Sequence, residues 1–439
     1  MFASRDLAAR RVAPDARRAR WAVSLIFFLN GASFCAILPR YPELVRAIGL
    51  TNTELGLAAG LGPLGGLLAG LGAAKIMKRL GSARTAVLFQ IIASTSHLLV
   101  YVAQSWLWLT ASLMIAMAAD AITDISMNRH GMRVERRYGR SIMNSYHGWW
   151  SLGAVGGGLF GSAGAQVGLP LWAQGVLGLV IFGAAALVGS RFMLAGPDGT
   201  ERESMAGPSA ASAGEVPGDV SQVPAGRQIA GQSVRSVLMV LSLGIILIFA
   251  GSTEDAGNTW GALFMDDTFA VTPFMAGMAF VALQGAQTIG RFVGDAVVDR
   301  LGDRLTARIG AVLSAMGMTF ALLVPHPVTA LLGFALAGWG VATLFPAAFR
   351  AADEMPGLGD GVGVTLVGWI ARLGFFVSPP VVGALADAFT LRWALFLVPI
   401  YALGIALFSF SLDGRKAPTG HETGAAAARN GGDDAVSES

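Results

Sequence analysis

Between Asp120 and Gly153 the chain reads DAITDISMNRHGMRVERRYGRSIMNSYHGWWSLG, and here residue type and spacing first point to chemistry. Asp120 and Asp124 sit four residues apart inside an apolar run, a spacing that puts both carboxylates on one helix face, about one turn apart. A basic loop follows with Arg129, Arg133, Arg136, Arg137 and Arg140, and a second apolar run carries His147. A carboxylate pair in one hydrophobic segment and a histidine in the next, joined by a short cationic hairpin, predict two membrane helices with a polar interior. Ionisable groups inside a bilayer are costly and mark a solute pathway or a proton relay.

The composition agrees with a membrane setting. Hydrophobic residues make up 54% of the 439 and charged residues only 13%, with a mean hydropathy of +0.59, whereas soluble domains carry about a quarter charged residues. The one cysteine, Cys35, excludes an intramolecular disulfide and a cysteine metal cluster. The formal charge of +3 resembles a nucleic-acid signal, but the basic residues fall in loops and fit positive-inside topology instead. A cleavable signal peptide is not expected, because the first apolar run is long and lacks a small-residue cleavage site.

About twenty apolar residues span a bilayer core, and twelve such segments fit between residues 21 and 411. The loops holding Lys75, Lys78, Arg79 and Arg84, then Arg129 to Arg140, then Arg300, Arg304 and Arg308 alternate with loops near 104, 166, 258–271 and 325 that hold no Lys or Arg. That alternation predicts an even number of spans with both termini in the cytoplasm. The expected organisation is a cytoplasmic tail (1–20), a six-helix half (21–195), a linker (196–235), a second six-helix half (236–412) and a disordered tail (413–439). The linker and the last tail are rich in Gly, Ser, Pro and Ala and bury too little apolar surface to order themselves.

The halves repeat at an offset of 221 residues. Thr51 and Gly56 correspond to Thr272 and Gly277, Arg79-Leu80-Gly81 to Arg300-Leu301-Gly302, Thr85-Ala86 to Thr306-Ala307, and Trp172 to Trp393. Two parallel six-helix halves are the arrangement of one large class of secondary transporter. Over nearly its full length the chain resembles the major facilitator superfamily. Gly294-Asp295 and Asp299-Arg300-Leu301-Gly302-Asp303-Arg304 are similar to that superfamily's signature loop, while the first half departs from it with Lys78 in the aspartate's place. A narrower resemblance, to the MosC-like permeases distantly akin to fucose permeases, rests on three stretches. These are Asp124 through Met127-Asn128, Glu135, Gly139-Arg140, Met143 and His147-Gly148 to Ser151-Leu152-Gly153; then Glu254 through Asn258-Thr259-Trp260; then Ser378-Pro379-Pro380 to Gly383. The resemblance implies an all-α polytopic membrane protein with twelve transmembrane helices around a central cavity, lined by the first, fourth, seventh and tenth.

Residue physics supplies the remaining expectations. Gly56, Gly60, Gly62, Gly66 and Gly70 at four-residue spacings suit close helix packing; no Gly-Lys-Ser/Thr follows that would make a phosphate loop. Pro379 and Pro380 remove backbone donors and should bend their helix, either as local accommodation or as a point where a gate flexes. Asn30, Asn128, His147, Glu254, Asn258, Gln284, Trp339 and Arg372 are the candidate cavity residues, with interhelical hydrogen bonding or packing the competing role for each. His97 belongs to a peripheral helix under the resemblance. Arg372 lies too deep to snorkel and should pair with a carboxylate or a solute; Arg291, near a helix end, can snorkel. Glu254 is either a cavity contact for solute or Arg372, or part of a solvated acidic rim with Asp255. Glu135, Arg140, Asp299, Arg300, Pro379 and Pro380 are gating or structural candidates.

No enzyme constellation emerges: the five histidines lack metal-ligand spacing and no nucleophile elbow is visible. No cofactor or metal is called for. The expected partners are a small-molecule solute, protons and the lipid bilayer, with no nucleic acid, and the chain is expected to act as a monomer. A secondary transporter of the bacterial inner membrane is the leading reading, its alternatives an efflux pump for drugs or metabolites and a non-transporting sensor of the same fold. The resemblance implies a small polar solute, sugar- or cyclitol-like. An ionised aspartate at a helix centre costs roughly 2.5–3.5 kcal/mol, and two on one turn repel. Asp120 and Asp124 are therefore candidates to carry a coupling proton, unless one of them only neutralises Arg372 or accepts structural hydrogen bonds.

Overall fold

The computed structural model describes residues 12–198, 234–355, 358 and 361–412. The tail 413–439, residues 199–233 of the linker and residues 1–11 of the N-terminal tail lie outside the described residues. The first half comprises α1 (Pro14–Cys35), α2 (Tyr41–Ile48), α3 (Asn52–Leu80), α4 (Ser82–Tyr101), α5 (Trp106–Tyr138), α6 (Met143–Gln166) and α7 (Leu171–Ser190). The second comprises α8 (Val234–Asn258), α9 (Gly261–Phe269), α10 (Pro273–Leu301), α11 (Asp303–Leu323), α12 (Pro327–Val341), α13 (Leu344–Asp353), α14 (Val362–Ala388), α15 (Leu391–Ala394) and α16 (Leu397–Phe408). The repeat read from the sequence sets the boundaries: α3 and α10 begin and end at positions related by the same offset, as do the starts of α4 and α11 and of α5 and α12. Both α3 and α10 open on a threonine, Thr51 or Thr272, whose side chain accepts the N–H of the third helical residue.

Among the described residues, ten segments are long and apolar enough to cross a membrane. The other two long helices, α6 with 24 residues and α10 with 29, fall short because glycines and amide side chains lower their hydropathy. By length alone, these two bring the long helical segments among the described residues to twelve, ten of which are apolar enough to span.

Three local readings change. The expected basic loop after Asp124 is helical as far as Tyr138, so Arg129, Arg133, Arg136 and Arg137 decorate the last turns of α5, which stops where Gly139 turns left-handed at φ 77°. Buried Arg133 is held there by the carbonyls of Ala195 (2.6 Å) and Gly196 (3.0 Å), which explains why the helix continues past its apolar part. The single tenth span expected near 327–349 is divided into α12 and α13. The first helix begins at Pro14, inside the stretch expected to be tail, because proline suits a first helical turn and Asp15 complements its dipole.

Within the first half α1 packs on α6, α3 and α4 on α5, and α4 on α7; within the second α10 and α11 pack on α12, α8 on α14, and α8 and α11 on α16. The halves meet through two pairs, α3 with α14 and α6 with α10. At the first pair the small residues expected for close packing do that work: a methyl at Gly56 would lie 2.8 Å from the carbonyl carbon of Pro379, and one at Gly60 3.0 Å from Cδ of Pro380. Pro379 and Pro380 stay inside α14, at this crossing. At the second pair Gly158 faces Phe280 and Gly277 faces Ser162. Arg46 on α2 also pairs with Asp266 on α9. These joining contacts lie toward the end of the bundle opposite the arginine-rich loops, the end that holds the loops near 104, 166, 258–271 and 325. Nearer the arginine-rich end, Asp124, His147, Trp369 and Arg372 are exposed.

The signature-like loop differs between halves in an instructive way. Asp303 at the start of α11 accepts a hydrogen bond from Arg350 (2.7 Å). At the repeat-related place Ser82 starts α4, and Asp198 from the beginning of the linker accepts from both its N–H (2.9 Å) and its hydroxyl (2.8 Å). Asp198 also lies 3.5 Å from Arg129 and from Arg133. The carboxylate that the first half lacks in this loop is supplied from the linker.

Candidate functional site

On the first-half side, Asp120 and Asp124 follow one another on α5, and the structure gives them different surroundings. Asn30 of α1, 3% exposed, donates its amide to Oδ1 of Asp120 at 2.7 Å, and Trp150 of α6 donates Nε1–H to the oxygen of the same amide at 2.8 Å. The indole thereby fixes which way the Asn30 amide points. Asp124, exposed, accepts hydrogen bonds among the described residues only from its own helix, through Asn128 Nδ2 at 3.0 Å. A carboxylate with free acceptor capacity and an exposed face can meet a cation, a hydroxyl or a proton. His147 on α6 lies edge-on to Phe27 at 5.4 Å and within electrostatic reach of both Asp124 and Arg291.

On the second-half side, Glu254 of α8 accepts from the Gln287 amide and lies 3.6 Å from the Arg291 guanidinium, both on α10. Asp255, buried, accepts from the Thr259 hydroxyl at 2.6 Å. The Oδ1 of Asn258, the Nε2 of Gln284 and the second oxygen of Asp255 are buried atoms without a hydrogen-bond partner among the described residues. A polar track thus crosses from Asn30 and Asp120 through Asp124 and His147 to Arg291, Glu254 and Gln287.

The other candidates are elsewhere. Arg372 reaches no carboxylate among the described residues; its guanidinium lies over Trp369 at 5.5 Å and its Nη1 donates to the Gly368 carbonyl at 3.4 Å. Trp339 lines a crevice between α10, α11 and α12 with Gly290, Val293 and Ile309. Glu135 accepts from the N–H groups of Ile142 (2.6 Å) and Met143 (2.9 Å), capping the entry to α6. Arg140 lies over Tyr138 at 5.2 Å. Asp299 and Arg300 are exposed on the last turn of α10. His97 is buried in the first half against Phe34, away from the track.

Sequence reasoning missed Trp150, Gln287 and Arg291 as members of the track. For Arg291 a signal existed: on α10 it stands four residues after Gln287, so both present to one neighbour, which turns out to be Glu254. No group of three or more His, Cys, Asp or Glu suited to a metal ion occurs among the described residues.

A family model described as the Major Facilitator Superfamily matches residues 243–432. Membrane protein MosC of Rhizobium meliloti is 26% identical over 393 residues, 89% of this chain and 89% of its own length. An uncharacterized MFS-type transporter of Yersinia pestis is 25% identical over 383 residues, covering 87% of this chain and 92% of its own. Among solved structures, a mutant of the nucleoside transporter NupG superposes with a TM-score of 0.71 at 11% identity, covering 90% of this chain and all of that one. A bacterial homolog of the human lysosomal transporter Spinster, inward-facing and unoccupied, superposes with a TM-score of 0.69 at 17% identity, covering 91% and 97%.

Proposed function

The chain belongs to the major facilitator superfamily, on its MosC-like side, and from that premise we propose that it moves a small polar, sugar- or cyclitol-like solute across the bacterial inner membrane by alternating access, coupled to protons. The observation that carries this reading is the polar track between the halves, with ionisable groups on both sides of it. A protein that only bound a partner would have no use for titratable groups at such depth. In this proposal the solute meets the track between Asp124, Asn128 and His147 on one half and Glu254 and Asn258 on the other, with Asn30 and Gln284 as supporting contacts. Arg372 and Trp339 stand at its margin.

Asp120 and Asp124 divide the labour. Asp120, held by Asn30 under Trp150, keeps its hydrogen bond in either protonation state, because the amide can donate to a carboxylate or to a carbonyl oxygen of the acid. Asp124, exposed and with acceptor capacity left over, is the better placed to take a proton from water and to lose it when access changes. Positive-inside topology assigns the arginine-rich end to the cytoplasm, so the arrangement described, joined at the opposite end, is the one open toward the cytoplasm. Asp299 and Arg300 would act in the counterpart conformation, when that end closes.

The test is counterflow in proteoliposomes, using solutes that raise the melting temperature in a screen of sugars, cyclitols, amino sugars, nucleosides and cationic drugs. Saturable counterflow of at least one polar solute is expected. Stabilisation by a solute without any counterflow of it would favour the sensor, and counterflow of lipophilic cations alone would favour the efflux pump.

A further inference from the structure

The end of the bundle where the halves join holds a second consequence of the repeat. Asp387, in the last turn of α14, reaches across to the first turn of α3 and takes four hydrogen bonds there. Its Oδ1 accepts from the Asn52 N–H (3.0 Å) and the Asn52 amide (2.9 Å), and its Oδ2 from the Thr53 N–H (2.8 Å) and the Thr53 hydroxyl (2.6 Å). At positions related by the repeat offset, Gln166 at the end of α6 reaches across to the first turn of α10, and its Oε1 accepts from the Phe274 N–H at 3.2 Å. Gln166 corresponds to Asp387 and Phe274 to Thr53. Each half therefore caps the opening turn of a helix in the other.

The two acceptors match the donors they face. A helix leaves its first N–H groups without partners. At α3, Thr51 covers the Glu54 N–H, leaving the N–H groups of Asn52 and Thr53, and two oxygens are needed. Asp387 has two. At α10, Thr272 covers the Met275 N–H and Pro273 has no N–H at all, leaving Phe274 alone. The single oxygen of an amide suffices there.

We infer that Asp387 and Gln166 are the two arms of one latch, a reciprocal pair of helix caps that holds the halves together at the arginine-poor end, and that the anionic Asp387 arm carries most of it. A carboxylate at a helix N-terminus gains from the backbone dipole as well as from its hydrogen bonds, and a neutral amide gains far less. Because donor and acceptor belong to different halves, the caps exist only while that end is shut. A cap within one half would stabilise both conformations equally and would not influence which is populated. The inference rests on the alternating-access reading only in that turnover must break the latch.

The experiment measures the distance between spin labels attached after Val167→Cys and Val328→Cys, exposed positions in the first and second halves at this end, in a Cys35→Ser background and in lipid nanodiscs without solute. Asp387→Ala should move the ratio of short to long distances toward long by on the order of tenfold. Gln166→Glu places an anion on the weaker arm and should move the ratio the other way by roughly threefold. Unchanged distributions in both variants overturn the latch. Should Asp387→Ala not fold, an unchanged or longer distribution in Gln166→Glu overturns it alone. The readout needs neither solute nor gradient, so the latch is judged separately from transport: the two shifts together with no counterflow of any solute would sustain the latch and end the transporter reading.

Discussion

Glycines on one helix face either the partner half or their own, and this contrast gives a sharp prediction. A methyl at Gly56 of α3 would lie 2.8 Å from the carbonyl carbon of Pro379 and 3.1 Å from Cα of Pro380, both backbone atoms of the other half. A methyl at Gly65 of the same helix would lie 2.7 Å from the carbonyl carbon of Met114, inside its own half. Neither neighbour is a side chain that can swing away. Overpacking of this kind costs about 1–3 kcal/mol. The intrinsic helix preference of Ala over Gly, about 1 kcal/mol, acts on both conformations and cancels from their ratio. For Gly56→Ala the clash exists only while the halves touch, so the ratio of shut to open at that end should fall roughly five- to 150-fold. For Gly65→Ala the clash is present in both, so the melting temperature should drop and the ratio should hold. Gly72→Ala, where nothing lies within 4 Å, should leave the ratio unchanged and raise the melting temperature slightly, because only the helix preference of Ala acts there. Distances between labels at Val167 and Val328, with thermal melts beside them, read all three. If Gly56→Ala merely melts lower with an unshifted distribution, as Gly65→Ala should, the α3–α14 crossing is not a contact that opens.

The remaining predictions are briefer. Glu254→Gln should weaken solute binding, measured by thermal shift or calorimetry, more than Asp255→Asn does, since Glu254 belongs to the track with Arg291 and Gln287; equal small losses would leave both with a structural role only. Glu135→Ala removes the acceptor for the Ile142 and Met143 N–H groups and should cost about 1 kcal/mol of stability with transport rate per folded molecule retained; a large loss of rate without loss of stability would give Glu135 a gating role instead. Asp267 lies outside the membrane spans, and burial, with Asp266 beside it, pushes its carboxyl above the usual range against a smaller opposing effect of Arg46. A carboxyl with a higher pKa folded than unfolded binds its proton more tightly in the folded chain, so its contribution falls as pH rises from the ordinary carboxylate range through the raised value. Asp267→Asn should therefore flatten the decline of melting temperature with pH over that window, and an unchanged profile would place the titration elsewhere.

The architecture was open to reading because a bilayer makes few demands and makes them strictly. Apolar length, the alternation of arginine-rich and arginine-poor loops, and the offset repeat led to the all-helical two-half fold, and the repeat even gives α3 and α10 the same length. Partners were harder to read. Arg291 looked like a cation snorkelling from a helix end, yet Glu254, far away in sequence, lies against it. Arg372 looked too deep to lack a carboxylate, yet it stacks on Trp369 one turn earlier. Asp387 looked like nothing at all, because its meaning depends on the free N–H groups of a helix in the other half. The helical continuation of α5 to Tyr138 escaped notice because the apolar pattern ends at the membrane boundary, while the helix is held beyond it by Arg133 against the carbonyls after α7.

The central claim is that the carboxylates of α5 couple movement of a polar solute to protons. Its most direct test is gradient-driven accumulation and counterflow measured side by side in proteoliposomes of Asp120→Asn and Asp124→Asn. The account predicts that Asp124→Asn loses accumulation against a gradient while counterflow persists, because the solute path survives and the proton carrier does not. If both variants still accumulate solute against its gradient, this pair does not carry the proton, and the claim is wrong.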